Sequence, residues 1–153
     1  MKIISHRGNT CGPDSKKENT PAYIDKALEE GFDVEIDLRK IKDTFYLGHD
    51  KPLNEVSFEW LENRKKYLWI HTKNFNAFES LLEISRGFIF FYYTCEPLVL
   101  VSNGKIWCHR INEITYPANC IVPLLSKSSL QENNQTKWFG VCTDYPLYFK
   151  QNK

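Results

Sequence analysis

The chain has 153 residues, enough for one domain with a sizeable core but too few for an elaborate multi-domain architecture. Hydrophobic residues make up 42% and charged residues 25%, which excludes an intrinsically disordered chain; aromatics, at 14%, are plentiful. The formal net charge of +1 gives no bulk attraction for nucleic acid or a membrane surface, so any phosphate recognition has to be local.

In chain order, Lys2 to His6 is a short apolar run feeding a loop at Arg7-Gly8, which predicts a strand. Pro21 to Glu30 predicts a helix, with Thr20 as N-cap, Pro21 at the first helical position and Gly31 as terminator. Asp33 to Arg39 alternates apolar Val34, Ile36 and Leu38 with charged Glu35, Asp37 and Arg39, the pattern of a second strand. Phe45 to Gly48 reads as a short extended piece leading to His49-Asp50, and Phe58 to Lys66 as a helix whose basic end, Arg64-Lys65-Lys66, is solvated. Leu68 to Thr72 is a third strand, Asn76 to Arg86 a helix closed by Gly87, and Phe88 to Tyr93 an aromatic strand suited to burial on both faces.

This alternation favours parallel β-α-β units, and hence an α/β barrel or an open wound sheet. Beyond Tyr93 the connections shorten. Lys105 to Ile111, Cys120 to Leu125 and Trp138 to Thr143 read as strands, whereas Glu96 to Gly104 has room for at most a turn or two of helix. Asn112 to Asn119 has no helical pattern, and Ser126 to Lys137 predicts a loop with a short helix. The five cysteines are scattered, without a Cys-x-x-Cys pair for zinc or redox work. Only five residues precede His6, too few for a signal peptide, and no apolar run reaches transmembrane length. The expectation is therefore a cytoplasmic domain over residues 1–153, without stable membrane insertion.

Glu35 and Asp37 stand two apart on a strand, so both carboxylates point to one face, about 7 Å apart along the chain. Paired ionised carboxylates in an interior repel and lose hydration, whereas hard oxygen ligands suit Mg²⁺ or Ca²⁺. For this pair alone, the competing reading is an edge strand with ordinary solvated acids. His6 and His49 lie at strand ends, where imidazoles that titrate near neutrality can serve as acid and base. Arg7 offers a planar fork for phosphate oxygens and Lys73 a point charge. His109 and Arg110 sit on one predicted strand, with one of the two directed to the mouth of a barrel or packed within it. Trp107, Tyr92 and Tyr145 read as core or wall residues, and neither Cys11 nor Cys142 has a base partner that would make it a nucleophile.

Taken in order, Ser5-His6-Arg7-Gly8, Glu18-Asn19-Thr20-Pro21, Val34-Glu35-Ile36-Asp37-Leu38 and Gly48-His49-Asp50 resemble the glycerophosphodiester phosphodiesterase family. Ile70-His71-Thr72-Lys73 and Thr143-Asp144-Tyr145-Pro146 extend the resemblance, while 74–138 does not align. The resemblance implies a (β/α) TIM-type barrel. A full barrel uses about 250 residues, or about 31 per unit, so this chain covers only about five units. The expectation is a shortened barrel with several outer helices missing in the second half, whose uncovered apolar faces are buried in a homo-oligomer.

The resemblance also implies catalysis by His6 and His49, a divalent metal on Glu35, Asp37 and a third-strand glutamate, and a small phosphodiester substrate, with attack by a neighbouring substrate hydroxyl giving a cyclic phosphate. His71 stands where that glutamate is expected, which shifts the metal preference from Mg²⁺ or Ca²⁺ towards Mn²⁺ or Zn²⁺ or leaves fewer protein ligands. Glu18 is the candidate to compensate. The leading expectation is a metal-assisted phosphodiester hydrolase acting on glycerophosphodiesters or related small esters. The alternatives are a catalytically weak binding module for a phosphorylated small molecule and a lyase that stops at the cyclic product.

Overall fold

The computed structural model describes residues 1–84, 87–109, 116–131 and 138–151. Among these residues, ten strands and five helices follow one another as β1 (Lys2–His6), α1 (Pro21–Glu29), β2 (Asp33–Ile41), β3 (Thr44–Leu47), β4 (Asn54–Val56), α2 (Phe58–Arg64), β5 (Leu68–Thr72), α3 (Phe75–Ile84), β6 (Ile89–Phe91), β7 (Leu98–Leu100), β8 (Ile106–Cys108), β9 (Cys120–Pro123), α4 (Lys127–Gln131), β10 (Gly140–Thr143) and α5 (Pro146–Gln151). The chain is mixed α/β, and its centre is a curled run of parallel strands ordered β6-β5-β2-β1-β10-β9-β8. A β3–β4 hairpin extends β2 antiparallel, and β7 folds back antiparallel on β8.

The outermost parallel strands, β6 and β8, share no ladder among the described residues. Instead, the turn of the β7–β8 hairpin lays Ser102 along β6. Its N–H donates to the Phe90 carbonyl at 2.9 Å, and its hydroxyl accepts from the Phe90 N–H and donates to the Phe88 carbonyl, each at 3.0 Å. One residue thus satisfies backbone groups that would otherwise form an open sheet edge.

Strand alternation separates two faces. Val34, Ile36 and Leu38 of β2 and Leu68 and Ile70 of β5 pack outward with Ile24, Ala27, Leu61, Ala77 and Leu81 of the first three helices. Cys108, Cys120, Val122 and Val141 face out in the second half, against Leu130 of α4 and Phe149 of α5. Ile4, Trp69, Phe91, Trp107, Ile121 and Cys142 face in, forming an apolar cluster enclosed by the curl. The second half carries less helix, as its short connections imply: among the described residues, the path from β6 to β8 is a hairpin without a helix.

Several local expectations are modified. Thr20 has the extended backbone of an N-cap, but its hydroxyl donates to the Lys17 carbonyl rather than capping α1. Gly31 closes that helix at φ 86°. Arg64 is not simply solvated: its Nε and Nη2 donate to both Asp25 oxygens at 2.5 and 2.9 Å, and its guanidinium lies over Trp60, tying α2 to α1. Glu96 to Gly104, read as room for a helical turn, holds β7 instead, because Leu98-Val99-Leu100 can pair with β8. Arg110, Ile111, the end of the predicted helix at 85–86 and the loop at 132–137 lie outside the described residues. No helix among the described residues is long and apolar enough to cross a membrane.

The closure by Ser102 makes a measurable prediction. Ser102→Ala removes both side-chain hydrogen bonds to β6, and because the residue is exposed, water replaces part of their value. A loss of roughly 1 kcal/mol in urea unfolding is expected, with amide exchange accelerating at Phe90 before other strands.

Candidate functional site

A step of two residues along each inward-facing strand leads from the apolar floor to a polar mouth. Ile4 precedes His6 on β1, Trp69 precedes His71 on β5, Trp107 precedes His109 at the end of β8, and Ile121 precedes Pro123 on β9. His6 is in register with Glu35, and Asp37 with His71, so the charged groups gather where the parallel strands end. His6, Arg7, Glu35, His49 and His71 line one cavity of about 220 Å³, together with Tyr93, Trp107, His109, Pro123, Leu125 and Cys142. An adjoining cavity of about 370 Å³ shares Arg7 and His49 and includes Glu18 and Asn19. A larger cavity, about 600 Å³, opens beside Met1 and Gly31 at the opposite strand ends and has no histidine in its lining.

Asp37 is fully buried, and polar groups from three segments converge on it. Asn19 donates from Nδ2 to Oδ2 at 2.9 Å and accepts the Asp37 N–H on Oδ1 at 3.0 Å. Arg7 Nε lies 2.8 Å from Oδ2, His71 Nδ1 3.3 Å and Lys73 Nζ 3.8 Å from Oδ1. The Arg7 Nε contact is ionic rather than an aligned hydrogen bond, burial lowers the His71 pKa, and Asp37 Oδ1 has no hydrogen-bond partner among the described residues. Burial favours the neutral acid, but His71, Arg7 and Asn19 outweigh it and hold Asp37 well below the usual carboxylate range. Both Arg7 and Asn19 sit in the left-handed backbone region, at φ 55° and 57°. The following Gly8 is required for packing: a Cβ there would lie 2.9 Å from the Tyr23 ring and 3.1 Å from its backbone.

Glu35 has the opposite fate. Burial, then the charge of Asp37, push its carboxyl up to about 7, and its Oε2 has no hydrogen-bond partner among the described residues. One donor atom each from Glu35, Asp37 and His71 fall within 4.8 Å of one another, so the side chains converge more closely than strand spacing alone suggests. Glu18 is not in this cluster: its carboxylate takes Arg7 Nη1 at 3.2 Å and Asn9 Nδ2 at 3.0 Å, and so holds the guanidinium from the other side.

The two candidate acid-base residues are held differently. His6 Nδ1 lies 2.8 Å from Asp144 Oδ1, which also accepts from Asn9, leaving Nε2 facing Glu35 at 3.9 Å. Burial lowers the His6 pKa, but Asp144 and Glu35 prevail and raise it. His49 is more exposed and pairs with Asp50 at 2.6 Å. Its loop is pinned by Arg39, which donates to the carbonyls of Gly48 at 3.2 Å and His49 at 2.6 Å. Gly48 turns at φ 147°, where a Cβ would lie 2.1 Å from the Lys51 carbonyl oxygen.

Asp144 and Asn9 are the residues that sequence reasoning left out of the site, although Asp144 directly follows β10 at the same end as His6, a placement that could have marked it. Tyr93 was missed as well; it stacks on His71 at 4.7 Å between centroids and on His109 at 3.4 Å. Trp107 belongs to the floor and Tyr92 is partly exposed on the surface. Cys142 reaches the cavity but burial raises its thiol well above the ordinary range, so it offers no thiolate.

Comparison with known proteins returns no match, whether to a family model, a curated protein or a solved structure.

The His6–Asp144 contact can be tested through its pH signature. A histidine whose folded pKa is raised adds stability that is complete below its unfolded value near 6.5 and is lost as pH rises through the folded value. Asp144→Asn should therefore cost more unfolding free energy at about pH 5.5 than at about pH 8.5. Imidazole NMR should show His6 titrating at lower pH in the variant than in the wild type.

Proposed function

We propose that the chain is a metal-assisted phosphodiesterase built on a shortened (β/α) barrel, acting on a glycerophosphodiester or related small ester. One observation carries this reading: Glu35 and Asp37, whose buried Oε2 and Oδ1 have no hydrogen-bond partner among the described residues, cluster with His71 at a cavity that Glu35 lines together with His6 and His49 from different strand ends. Neighbouring carboxylate oxygens without aligned hydrogen bonds are what a cation would satisfy. Charge agrees, since Glu18, Glu35, Asp37 and Asp144 outnumber the permanent cations Arg7 and Lys73. Glu35, Asp37 and His71 would hold the ion, and two oxygens with one imidazole suit Mn²⁺ or Zn²⁺ better than the harder Mg²⁺ or Ca²⁺. When bound, the cation would offset the negative charge that develops on the phosphoryl oxygens.

The chain's own groups divide the remaining work. Arg7, braced by Glu18 and Asp37, presents its guanidinium at the cavity and orients the phosphoryl group, with Lys73 adding charge from the end of β5. His6 is the general acid: Asp144 fixes its ring and favours the protonated form, ready to deliver a proton from Nε2 to the leaving alkoxide. His49, at the more open side, is the base that takes a proton from the attacking hydroxyl, whether of water or of the substrate itself. The apolar floor of Trp69, Phe91 and Trp107 keeps water from beneath the reacting groups and strengthens their interactions.

A second reading, a catalytically weak binding module for a phosphorylated small molecule, is favoured by one feature: the cationic groups meant for phosphate already lean on carboxylates, Arg7 on two and Lys73 on one. Hydrolysis of bis(p-nitrophenyl) phosphate and of glycerophosphodiesters, followed with Mg²⁺, Mn²⁺, Ca²⁺ or chelator, separates the two. The phosphodiesterase reading expects turnover that chelator abolishes and that His6→Ala lowers by about 10²–10⁴-fold; turnover no higher than that variant's with every metal sinks it. Phosphorus NMR of the product distinguishes hydrolysis from cyclisation.

Metal binding has its own readout. Because Glu35 is pushed up to about 7, a cation must displace its proton below that pH. Added Mn²⁺ is expected to raise Tm by a few degrees, more at about pH 8 than at about pH 5.5, and Glu35→Gln should erase the shift. An equal shift in that variant would place the ion elsewhere.

A further inference from the structure

His109 is a group for which the chemistry above has no use. It follows β8, two residues beyond the floor residue Trp107, and its ring lines the same cavity as His6, Arg7, Glu35, His49 and His71. The ring is held in place: its backbone N–H donates to the Pro97 carbonyl at 2.8 Å, and its face stacks on Tyr93, which stacks in turn on His71. Yet its Nε2 is buried and has no hydrogen-bond partner among the described residues. A fixed ring with an unsatisfied nitrogen in a cavity wall is a recognition element awaiting a partner.

The setting narrows the partner. His109 is one ring beyond the cluster, with its centroid 6.3 Å from that of His71, so it would meet the group attached to a phosphoryl rather than the phosphoryl itself. Its neighbours on that side, Tyr93, Trp107, Pro123 and Leu125, carry no formal charge. A neutral imidazole nitrogen is a donor in one tautomer and an acceptor in the other, and a hydroxyl serves either.

We propose that His109 is a specificity-determining residue whose Nε2 makes a hydrogen bond with an uncharged hydroxyl on the organic group of a bound phosphoester. This rests on the proposal that phosphate is bound at the neighbouring cluster, and it adds a selection between hydroxylated and bare alkyl groups.

Binding rather than turnover tests it, so that the two proposals can fail separately. Calorimetric titration of the wild type in Mn²⁺ with 2,3-dihydroxypropyl phosphate and with propyl phosphate is expected to show about a tenfold preference for the hydroxylated probe. His109→Phe, which keeps a ring to stack on Tyr93 but has no nitrogen, should bring the ratio of affinities close to one. His109→Gln, which restores a donor and an acceptor, should recover part of the preference and provides a second variant if the first fails to fold. An equal ratio for wild type and His109→Phe, or no preference in the wild type, overturns the role of His109 while leaving phosphate binding intact. Failure of the wild type to bind either probe overturns both proposals. Preference without turnover supports His109 and removes only the enzymatic reading.

Discussion

A carboxylate without solvent must be surrounded by donors or cations, and Asp37 meets that requirement with groups from three separated segments. The Arg7 turn, Asn19 ahead of α1, and His71 with Lys73 at the end of β5 all reach it. Leaving a buried charge with too few partners costs several kcal/mol, so these segments are bound to one another through Asp37. The left-handed backbones of Arg7 and Asn19 follow from this. Each is disfavoured alone, but the Asn19 N–H donates to the Arg7 carbonyl while the Asn19 side chain clasps Asp37 from both directions. Local strain near the site is thereby exchanged for the solvation of one charge.

The same arrangement separates the two acids of β2. Asp37, surrounded by donors, stays ionised; Glu35, two residues earlier and against an apolar floor, does not find enough of them and shifts up. Their environments differ because the inward face changes from aromatic to polar over one strand step. A floor of Trp69, Phe91 and Trp107 rings lowers the effective dielectric under the cavity. It therefore strengthens every charge interaction above it, favourable or not.

How much of this could be read in the sequence depended on whether chemistry and periodicity coincided. Glu35 and Asp37 were legible because charged and apolar residues alternate along β2, so strand, face and pairing emerge together. Leu68-Trp-Ile-His-Thr72 hides the same alternation, since both of its faces are buried and its inward Trp69 is as apolar as its outward Ile70. Strand ends and glycine turns marked His6, Arg7 and His49. Asp144, by contrast, meets His6 across 138 positions of sequence, and Tyr93 and His109 are joined only by stacking. Such contacts leave no periodic pattern, and Asp144 was marked only by its place in Thr143-Asp144-Tyr145-Pro146 at the end of a predicted strand. The hairpin of β7 on β8 escaped notice for a related reason: three apolar residues have no period of their own until a partner strand gives them one.

An asymmetry in the site explains how thin support in the second half is tolerated. Nearly every charged group at the mouth comes from residues 6–73, over whose strands α1, α2 and the following α3 pack the outer face of the sheet and hold the register. Misplacing a charge by a fraction of an ångström changes an ion pair strongly, whereas neutral walls such as Tyr93, Pro123 and Leu125 act mainly by occupying space. They can rest on short hairpins and a short helix without losing their role. Asp144 is the exception, and its position is consistent with the rule: β10 pairs directly with β1, and the helix after it, α5, packs on β1 as well. Among the described residues, the charge drawn from the lightly supported half is thus anchored to the strand whose histidine it orients.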